Sequence, residues 1–495
     1  MATNPFTQIP DLFNIMGEYI RQCSPEIIKN GTDPNCSSTL VRYPGQAYVL
    51  CSMCSTHKKV CYTEAPNIKQ VYRINGYYGG LLIEPASTGP VVVINRLDIS
   101  HDNTLPSVGV ELTHPFMYPA LVSAYLNDGI RTVVPIRHGL EVTNHTGLRV
   151  RLFCNGHAFV ALFPCDGKVL AWGQSTGGVI PHTTTRILAE SHVVDIYPHL
   201  YGFIARTREG RVITWGVRLR DGRIVGMEGS SPSPTTDLGL RSGVTDVFVN
   251  HEYSFVAYNA TEKKLIAWGG EIGSHIPDHV HDRIRKEGVS TVVSVHTAFA
   301  ALTQNGNVVV WGPHHRLCQT GDNFDELHDI EEIVACDMSF VAIRRGRKEI
   351  VICGPRAPPD EVHAEIKLHG VHSIYSNMGV TAIKLGNEQC MAWGRPIWNV
   401  AFGRTPPWFY TRSYTTSVFS APGKIADIHH SPHGFIVVQH DGHMVYLMTP
   451  NPLSPDEEQF LQRMEAGRSA CATTHSYTYD QFSKAMGSLT VEMLE

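Results

Sequence analysis

The dipeptide Trp-Gly recurs along the middle of the chain at nearly regular intervals, and this recurrence limits the choice of fold more than any other feature. Most of the 7 tryptophans stand in such a dipeptide, and one further position keeps the glycine behind a cysteine. The positions are Trp172, Trp215, Trp268, Trp311, Cys353 and Trp393. Successive positions are 40 to 53 residues apart, which indicates a repeated supersecondary unit.

The residues before each Trp-Gly also repeat, as two short apolar runs around a turn. In one copy, Phe299 begins the run Phe-Ala-Ala-Leu, Asn305-Gly306 provides the turn, and Val308 begins the run that ends in Trp311. A seventh copy around Phe435 keeps the two runs but has no Trp-Gly. Apolar runs that flank an Asn-Gly or Asp-Gly turn predict a β-hairpin. A β-branched run before several hairpins predicts about three or four strands per repeat, as in a propeller blade.

This pattern resembles the repeat of the regulator of chromosome condensation family, over about residues 148 to 450. The resemblance implies an all-β fold, a seven-bladed β-propeller over residues 146–450, in which the tryptophans and phenylalanines pack between blades. The family includes a guanine-nucleotide exchange factor for the small GTPase Ran, accessory domains of ubiquitin ligases and scaffolds. Its Gly-Gln-Leu-Gly segment is altered here, to Gly270-Glu271-Ile272-Gly273 in one copy, and no exchange-factor residue is carried over.

The residues on both sides of the repeats have a different character. Residues 1–145 contain β-like apolar runs separated by glycine and proline, which predict a compact β-rich domain, either all-β or α+β. Residues 451–495 begin with Ser454-Pro455, a helix-start pattern with Glu457 at the third helical position. We therefore expect a short helical C-terminal tail, which packs on the propeller or docks on a neighbouring subunit.

Several of the 12 cysteines crowd into the N-terminal region. Cys51 and Cys54 form a Cys-x-x-Cys pair, and Cys36 and Cys61 lie near it in sequence. Such a pair can bind zinc, with Cys36 and Cys61 as further ligands of a structural site. Disulfides in an oxidising environment and free thiols are the two alternatives. A metal protein or enzyme centred on this cluster is one of the rival functional hypotheses.

An aromatic segment, defined as residues 396–419, interrupts the repeats between the sixth and the seventh copy. It contains both tryptophans that stand outside the Trp-Gly series, together with other aromatic and arginine residues. The candidate partner-binding residues are Trp398, Arg404, Trp408, Phe409, Tyr410 and Arg412. Tryptophan, tyrosine and arginine dominate the energetics of protein interfaces. The segment either contacts a protein partner or caps the propeller and buries its own aromatic side chains.

Charge and hydropathy exclude some classes of function. The formal net charge is −5, whereas a nucleic-acid binder usually has a basic excess, so we expect no nucleic-acid partner. The basic run at Arg344, Arg345, Arg347 and Lys348 is interpreted as a solvated turn. No apolar run is long enough to span a membrane, and the N-terminus lacks the features of a signal peptide. We expect a location in the cytoplasm or in an assembled particle.

The phosphate-loop pattern is absent from the sequence. A Gly-x-Ser-x-Gly match, the pattern of a nucleophile elbow, occurs at Gly173–Gly177, but it begins at the glycine of a Trp-Gly dipeptide and belongs to a repeat turn. We therefore expect no catalytic residues and no cofactor apart from the zinc considered above. The leading hypothesis is a non-enzymatic scaffold that binds a protein partner or forms part of a homo- or hetero-assembly, including a structural component of a virion or phage. The alternative is an exchange factor or regulator of a small GTPase.

Overall fold

The structure is a computed structural model of the chain. It describes residues 26–30, 38–42, 48–54, 59–65, 68–75, 80–85, 92–94, 126, 129–155, 158–173, 179–199, 202–216, 239–249, 254–269, 275–295, 298–312, 327–336, 339–353, 358–377, 380–394, 398–401, 418–420, 423–431, 434–440 and 444–448. Only the backbone is described before residue 69, after residue 440 and within residues 398–419. The predicted helical tail, residues 451–495, lies outside the described residues.

Two sheets and a hairpin precede the repeats. The first sheet contains β1 (Glu26–Asn30), β2 (Ser38–Arg42), β3 (Tyr48–Cys54) and β4 (Lys59–Ala65). The second contains β5 (Ile68–Ile74), β6 (Gly80–Pro85) and β7 (Val92–Ile94). The hairpin consists of β8 (Ile130–Ile136) and β9 (Gly139–Asn144) and joins the sheet of the first repeat through β9.

Each of the seven predicted repeats forms three antiparallel strands that are neighbours in one sheet and follow one another in chain order. The strands are β10 (Arg149–Cys154), β11 (Ala158–Phe163) and β12 (Lys168–Gly173); β13 (Val193–His199), β14 (Gly202–Thr207) and β15 (Val212–Gly216); β16 (Val244–Val249), β17 (Ser254–Asn259) and β18 (Lys264–Gly269); β19 (Val289–Val295), β20 (Ala298–Thr303) and β21 (Val308–Trp311); β22 (Ile330–Cys336), β23 (Ser339–Arg344) and β24 (Ile350–Cys353); β25 (Val371–Asn377), β26 (Val380–Leu385) and β27 (Cys390–Gly394); and β30 (Ile425–Ser431), β31 (Gly434–Gln439) and β32 (Met444–Met448). β28 (Trp398–Ala401) and β29 (Val418–Ser420) come from the aromatic segment.

The repeated phenylalanine and tryptophan meet across the second and third strands of a repeat. Phe299 pairs with Trp311 in register, and their rings stack with centroids 5.4 Å apart. Phe203 and Trp215 stack in the same way, at 5.6 Å. Both tryptophans are completely buried. Trp215 shares a core cluster with residues of the first repeat and Trp311 with residues of the third, so the predicted packing between blades is confirmed for these two tryptophans.

A short helix connects some of the repeats and covers the sheet edges next to it. The helices are α1 (His182–Ala189), α2 (Asp278–Glu287) and α3 (Asp360–His369). Each begins after a proline and buries two residues that are four positions apart, such as Val280 and Ile284 of α2. The sequence analysis did not predict these helices. None of the helices in the described part of the chain has the length and apolar character that crossing a membrane requires.

Successive repeats are joined by a recurring backbone hydrogen bond. At five of the six junctions between repeats, the first residue of the new first strand donates its N–H to a carbonyl in the turn between the second and third strands of the preceding repeat. Val244 donates to Gly210 over 3.0 Å, and Val371 donates to Arg347 over 2.7 Å. The turn residue has positive φ at both places. At the junction of the third and fourth repeats, the Tyr258 hydroxyl accepts the bond from Val289 instead, over 3.2 Å.

The sheet β5–β7 has the strand register of the repeats although it has no Trp-Gly. Its first strand has seven residues and contains an irregularity between Ile68 and Gln70, as β13 does between Val193 and Asp195. Its buried residues Ile74 and Leu82 share a core cluster with Leu152, Phe159 and Trp172 of the first repeat. The N-terminal region therefore contains a further sheet built like the repeats.

The first strands lie side by side in a closed ring. They follow chain order from β10 through β13, β16, β19, β22 and β25 to β30, and β1 and β5 lie between β30 and β10. Among the described strands the ring therefore contains nine sheets, seven from the repeats and two from the N-terminal region, whereas seven blades over residues 146–450 were predicted. The boundary predicted between residues 145 and 146 falls between β9 and β10, which are neighbouring strands of one sheet. β9 and β10 also share the core cluster of the first repeat, so the hairpin β8–β9 and the first repeat form one sheet with one core.

Candidate functional site

Both ends of the aromatic segment are anchored on sheet edges. β28 pairs with β32, so that Trp398 lies opposite Met448, and β29 pairs with β27, so that Phe419 lies opposite Ala392. The strand orders are β25-β26-β27-β29 and β28-β32-β31-β30. Each anchor strand is therefore at the opposite edge of its sheet from the first strand. The segment connects the outer edges of the sixth and seventh repeat sheets.

Most of the predicted partner-binding residues belong to the part of the segment between these anchors. Trp398 begins β28. Arg404, Trp408, Phe409, Tyr410 and Arg412 lie outside the described residues, within residues 402–417. The backbone pairing establishes where this stretch leaves the ring and where it returns. Its contact with a partner stays a prediction.

The predicted zinc ligands belong to the first N-terminal sheet. Cys51 and Cys54 are in β3, and Cys61 is in β4, where it pairs with Ser52. Cys36 lies outside the described residues. A zinc site formed by these cysteines, which would be structural, stays a prediction. Among the side chains that the structure does describe, no group of histidine, cysteine, aspartate or glutamate is arranged to hold a metal ion.

The hairpin β8–β9, called the central hairpin below, points with its tip at the first strands of the second and third repeats. Arg137 at the tip forms an ion pair with Asp246 of β16, and its guanidinium lies 5.0 Å from the ring centre of Phe248 on the same strand. The ring of His138 lies 5.2 Å from that of Tyr197 on β13. The tip therefore contacts two first strands that lie beyond the sheet to which the hairpin belongs.

The other side of the tip is held by Asn75, which follows β5. Its side-chain amide donates to the carbonyl of Ile136 over 2.9 Å, and its backbone N–H donates to the carbonyl of Gly139 over 3.3 Å. The turn of the central hairpin is thus bound from the N-terminal sheet and from two repeats. This arrangement places the hairpin tip against the inside of the ring.

Acidic and basic side chains pair at the third position of several first strands. Asp195 of β13 lies 4.0 Å from Arg206, and Asp246 of β16 is bound by Arg137. Glu332 of β22 lies 2.7 Å from Arg347. Backbone N–H groups also contribute, since the N–H groups of Ile196 and Val247 donate to the carboxylates of Asp195 and Asp246. Asp195 and Glu332 are thus paired within their own repeats, whereas the Arg137–Asp246 pair joins the central hairpin to the third repeat.

The basic run of the fifth repeat is paired in the same manner. Arg344 lies 3.0 Å from Glu349, Arg345 lies 3.2 Å from Asp329, and Arg347 lies 3.0 Å from Glu331. Arg347 also donates to the carbonyl of Val371 in the next repeat over 2.6 Å. The carboxylates compensate the charge of these arginines, so the run is part of the junction between the fifth and sixth repeats.

Burial favours the neutral form of two histidines, His138 at the tip of the central hairpin and His199 at the end of β13. Burial, and to a smaller extent the charge of Arg137, lowers the pKa of His138 to about 4, while Asp246 opposes the shift. Burial lowers the pKa of His199 to about 3. His199 is only 2% exposed, and neither of its ring nitrogens has a hydrogen-bond partner. Protonation of either side chain would place an uncompensated charge in a buried site.

Comparison with solved structures finds similar ring-like proteins at low sequence identity. The ectodomain of the Arabidopsis thaliana receptor kinase ACR4 is 12% identical, with a TM-score of 0.31, over 74% of this chain and 96% of that chain. Prp20p of Saccharomyces cerevisiae is 15% identical, with a TM-score of 0.30, over 65% of this chain and 86% of that chain. Human WBSCR16 is 12% identical, with a TM-score of 0.32, over 61% of this chain and 89% of that chain. No protein-family model matches the chain.

The repeats of this chain form a β-propeller, and their sequence pattern resembles that of the regulator of chromosome condensation family. The paired phenylalanine and tryptophan, the recurring inter-repeat hydrogen bond and the ring of first strands are the structural elements of this propeller. The similarities to solved propellers, with TM-scores below 0.5, assign no activity to it.

Sequence reasoning missed the central hairpin of this propeller, although it predicted β-like runs within residues 1–145. One signal in the sequence was available. Aspartate follows a β-branched residue by one or two positions at the start of three first strands, at Asp195, Asp246 and Asp427. An acidic residue that recurs at one position of a repeat indicates a charged layer on the ring, which requires a cationic partner.

Proposed function

We propose that this propeller is a non-enzymatic scaffold that binds a protein partner through the aromatic segment, within a larger assembly. The proposal includes a structural role in a virion or phage particle. The ring would consist of the seven repeat blades and the two N-terminal sheets. Its rigid edge would present the segment to the partner.

The anchoring of the aromatic segment is the observation that carries this proposal. β28 and β29 extend two neighbouring sheets and hold the stretch 402–417 at both ends. A loop whose ends are fixed by strand pairing loses less conformational entropy when it binds than a free loop does. Regular sheets that position a variable loop are a common basis for binding sites.

The composition of the segment supports a protein partner over a small molecule. Trp408, Phe409 and Tyr410 are consecutive in sequence, and Arg404 and Arg412 stand on either side of them. Aromatic residues flanked by arginine are typical of the energetic centre of protein interfaces. A scaffold function also agrees with the pairing of the ring carboxylates, which are bound by arginines at Asp246, Asp195 and Glu332.

Quantitative binding with a matched surface variant tests the proposal. Tagged full-length protein is used to isolate partners from extracts of its natural source, and each partner is then purified and titrated against the propeller. We expect the double variant Trp408→Ala, Tyr410→Ala to weaken binding by at least about tenfold, because each hot-spot residue contributes about 2 kcal/mol or more.

Leu368→Ser provides the control, because Leu368 is a large apolar side chain on α3 that is 65% exposed. This variant removes exposed apolar surface elsewhere and is expected to bind as the wild type does. Equal affinity of the wild type and the double variant for every purified partner would contradict the proposal. So would the absence of any partner that binds the purified wild-type chain.

A further inference from the structure

The seat that holds the tip of the central hairpin, called the first seat, is formed by three positions on two neighbouring first strands. Asp246, the third residue of β16, pairs with Arg137. The ring centre of Phe248, the fifth residue of β16, lies 5.0 Å from the guanidinium of Arg137. The ring of Tyr197, the fifth residue of β13, lies 5.2 Å from that of His138. The first seat thus combines a carboxylate with two rings, and it binds an arginine.

The same three positions have similar residues where the sixth repeat meets the seventh. Tyr375 is the fifth residue of β25, and Asp427 and His429 are the third and fifth residues of β30. The strands also agree in register, because β13, β16, β25 and β30 all have an irregularity between their first and third residues. We call Tyr375, Asp427 and His429 the second seat. Its residues differ in type from those of the first seat only at the position of His429.

Asp427 has no arginine partner in the described part of the chain. The carboxylates at the third position of three other first strands each pair with an arginine, at Asp195, Asp246 and Glu332. Asp427 instead lies 3.6 Å from Nε2 of His429, and its side chain is 56% exposed, against 29% for Asp246. Burial lowers the pKa of His429, although Asp427 opposes the shift. The imidazole is therefore neutral at pH 7 and does not compensate the charge of the carboxylate.

The second seat offers hydrogen-bond acceptors in an arrangement that suits a guanidinium group. The Oδ1 atom of Asp427 accepts from the Tyr375 hydroxyl over 3.3 Å and from the N–H of Ile428 over 2.8 Å, and these two bonds orient the carboxylate. Its Oδ2 atom and Nε2 of His429 are 3.6 Å apart, and both can accept when the imidazole proton is on Nδ1. The planar fork of a guanidinium can donate to both atoms at once, whereas a lysine ammonium is a compact point charge without this fixed geometry.

We propose that the second seat binds an arginine side chain of a partner protein, as the first seat binds Arg137. The exposure of Asp427 leaves the carboxylate accessible to a side chain from another molecule. The seat belongs to the first strands β25 and β30, whereas the aromatic segment is anchored at the opposite edges of the same two sheets. The two sites are therefore separate, and this proposal does not depend on the function proposed for the aromatic segment.

Titration of short peptides against the full-length protein tests the proposal. The probe is acetyl-Ile-Arg-His-Gly-amide, which copies residues 136–139 at the tip of the central hairpin. The comparison peptide has lysine in place of the arginine. Saturation-transfer NMR of the peptides measures their affinities at pH 7. We expect the wild type to bind the arginine peptide at least about fivefold more tightly than the lysine peptide, because only the guanidinium can donate to both acceptors.

Variants at the third position of two first strands separate the seat from the general attraction of a cationic peptide to an acidic protein. Asp427→Asn is expected to weaken binding of the arginine peptide by about tenfold or more, because a charge-assisted hydrogen bond is lost. The amide oxygen can still accept from Ile428, and Asp427→Thr, which introduces the residue type of Thr291 at this position of the fourth repeat, replaces this variant if it does not fold. Glu332→Gln is the matched control, since Glu332 is already bound by Arg347, and it should leave the affinity unchanged.

Three outcomes would overturn the proposal: no binding of the arginine peptide to the wild type at about 10 mM, equal affinity for the lysine peptide, or equal affinity in Asp427→Asn and Glu332→Gln. The double variant Trp408→Ala, Tyr410→Ala should bind the peptide as the wild type does. A loss of peptide binding in this double variant would place the peptide on the aromatic segment and would likewise overturn the proposal. The failure of this inference is thus distinguishable from the failure of the proposed scaffold function.

Discussion

At the scale of single residues, the hydroxyl of Tyr258 has a role that a backbone carbonyl has elsewhere in the ring. It accepts the hydrogen bond from the N–H of Val289, a residue that is 7% exposed. At the other junctions the acceptor is a carbonyl of the turn, for example that of Gly306 for Ile330. Because the acceptor between the third and fourth repeats is the side chain of Tyr258, a substitution can remove it without changing the backbone.

Tyr258→Phe is expected to lower the free energy of unfolding by about 1–3 kcal/mol, the cost of a buried donor that has lost its acceptor. Equilibrium denaturation in urea measures this loss. Tyr375→Phe is the matched control, since the Tyr375 hydroxyl donates to Asp427, whose side chain is 56% exposed, so that water can take the place of the hydroxyl. A loss no larger for Tyr258→Phe than for the control would refute the role given to this hydroxyl.

A second prediction at the scale of residues concerns His199, which makes the stability of the protein depend on pH. Its pKa is about 3 in the folded protein, against 6.5 for an unperturbed histidine, so the unfolded chain binds a proton that the folded chain does not in this range. Stability should therefore fall as the pH drops from about 6.5 towards 3, by up to about 1.4 kcal/mol per pH unit from this group alone.

The urea midpoint of the full-length protein, measured between pH 7 and pH 5, checks this slope. His199→Leu should reduce the slope, because the variant has no group to protonate at this position. His363→Gln, at an exposed histidine of α3, should leave the slope unchanged. An identical slope in wild type and His199→Leu would show that His199 is not the group responsible.

At the scale of structural elements, the turn between the second and third strands joins one blade to the next. The turn residue that accepts the inter-blade bond has positive φ whether it is a glycine, as at Gly210, or not, as at Arg347 and Glu388. In this conformation the carbonyl points to the next first strand. In the second repeat, the N–H of Val244 is 3.0 Å from the Gly210 oxygen.

Gly210→Ala should therefore destabilise the protein more than the backbone conformation alone explains. A Cβ at this position would lie 2.5 Å from the Val244 nitrogen, so the next blade has to move. Gly147→Ala is the control, with a similar φ of +85° and no atom within 4 Å of the new Cβ. We expect a loss of about 1 kcal/mol for the control and at least about 2 kcal/mol for Gly210→Ala, measured by urea denaturation. Equal losses would contradict the close packing of the turn on the next blade.

The same elements show how far the sequence determines the fold. The Trp-Gly spacing and the apolar runs that repeat with it were together sufficient to predict the seven repeat hairpins, because paired residues such as Phe203 and Trp215 are near in sequence and meet across one sheet. The blade-like register of β5–β7 was missed, since Ile74 and Leu82 pack against the first repeat without any tryptophan to mark them. The seat of the central hairpin was also missed. The pairing of Arg137 with Asp246 joins residues that are distant in sequence, and neither one specifies the other.

At the scale of the whole molecule, the first strands form a closed inner ring, and two neighbouring sheets have an additional strand at their outer edges. The inner strands meet around the cycle, and the central hairpin contacts them at β13 and β16. On the outer side, the sixth and seventh repeat sheets each have an additional strand from the aromatic segment. The candidate site of the segment was predicted from composition, whereas its attachment to two blades became evident only from the pairing of β28 and β29.

The most direct test of the account is site-specific photo-cross-linking of the full-length protein in its natural assembly. The variant Trp408→p-benzoylphenylalanine places the cross-linker in the aromatic segment, and the same replacement of Leu368 on α3 provides the reference. Position 408 is expected to cross-link to another protein molecule, identified by mass spectrometry, and position 368 is not. Cross-links from position 408 to residues of its own chain alone would show that the segment packs on its own propeller, and would contradict the scaffold function.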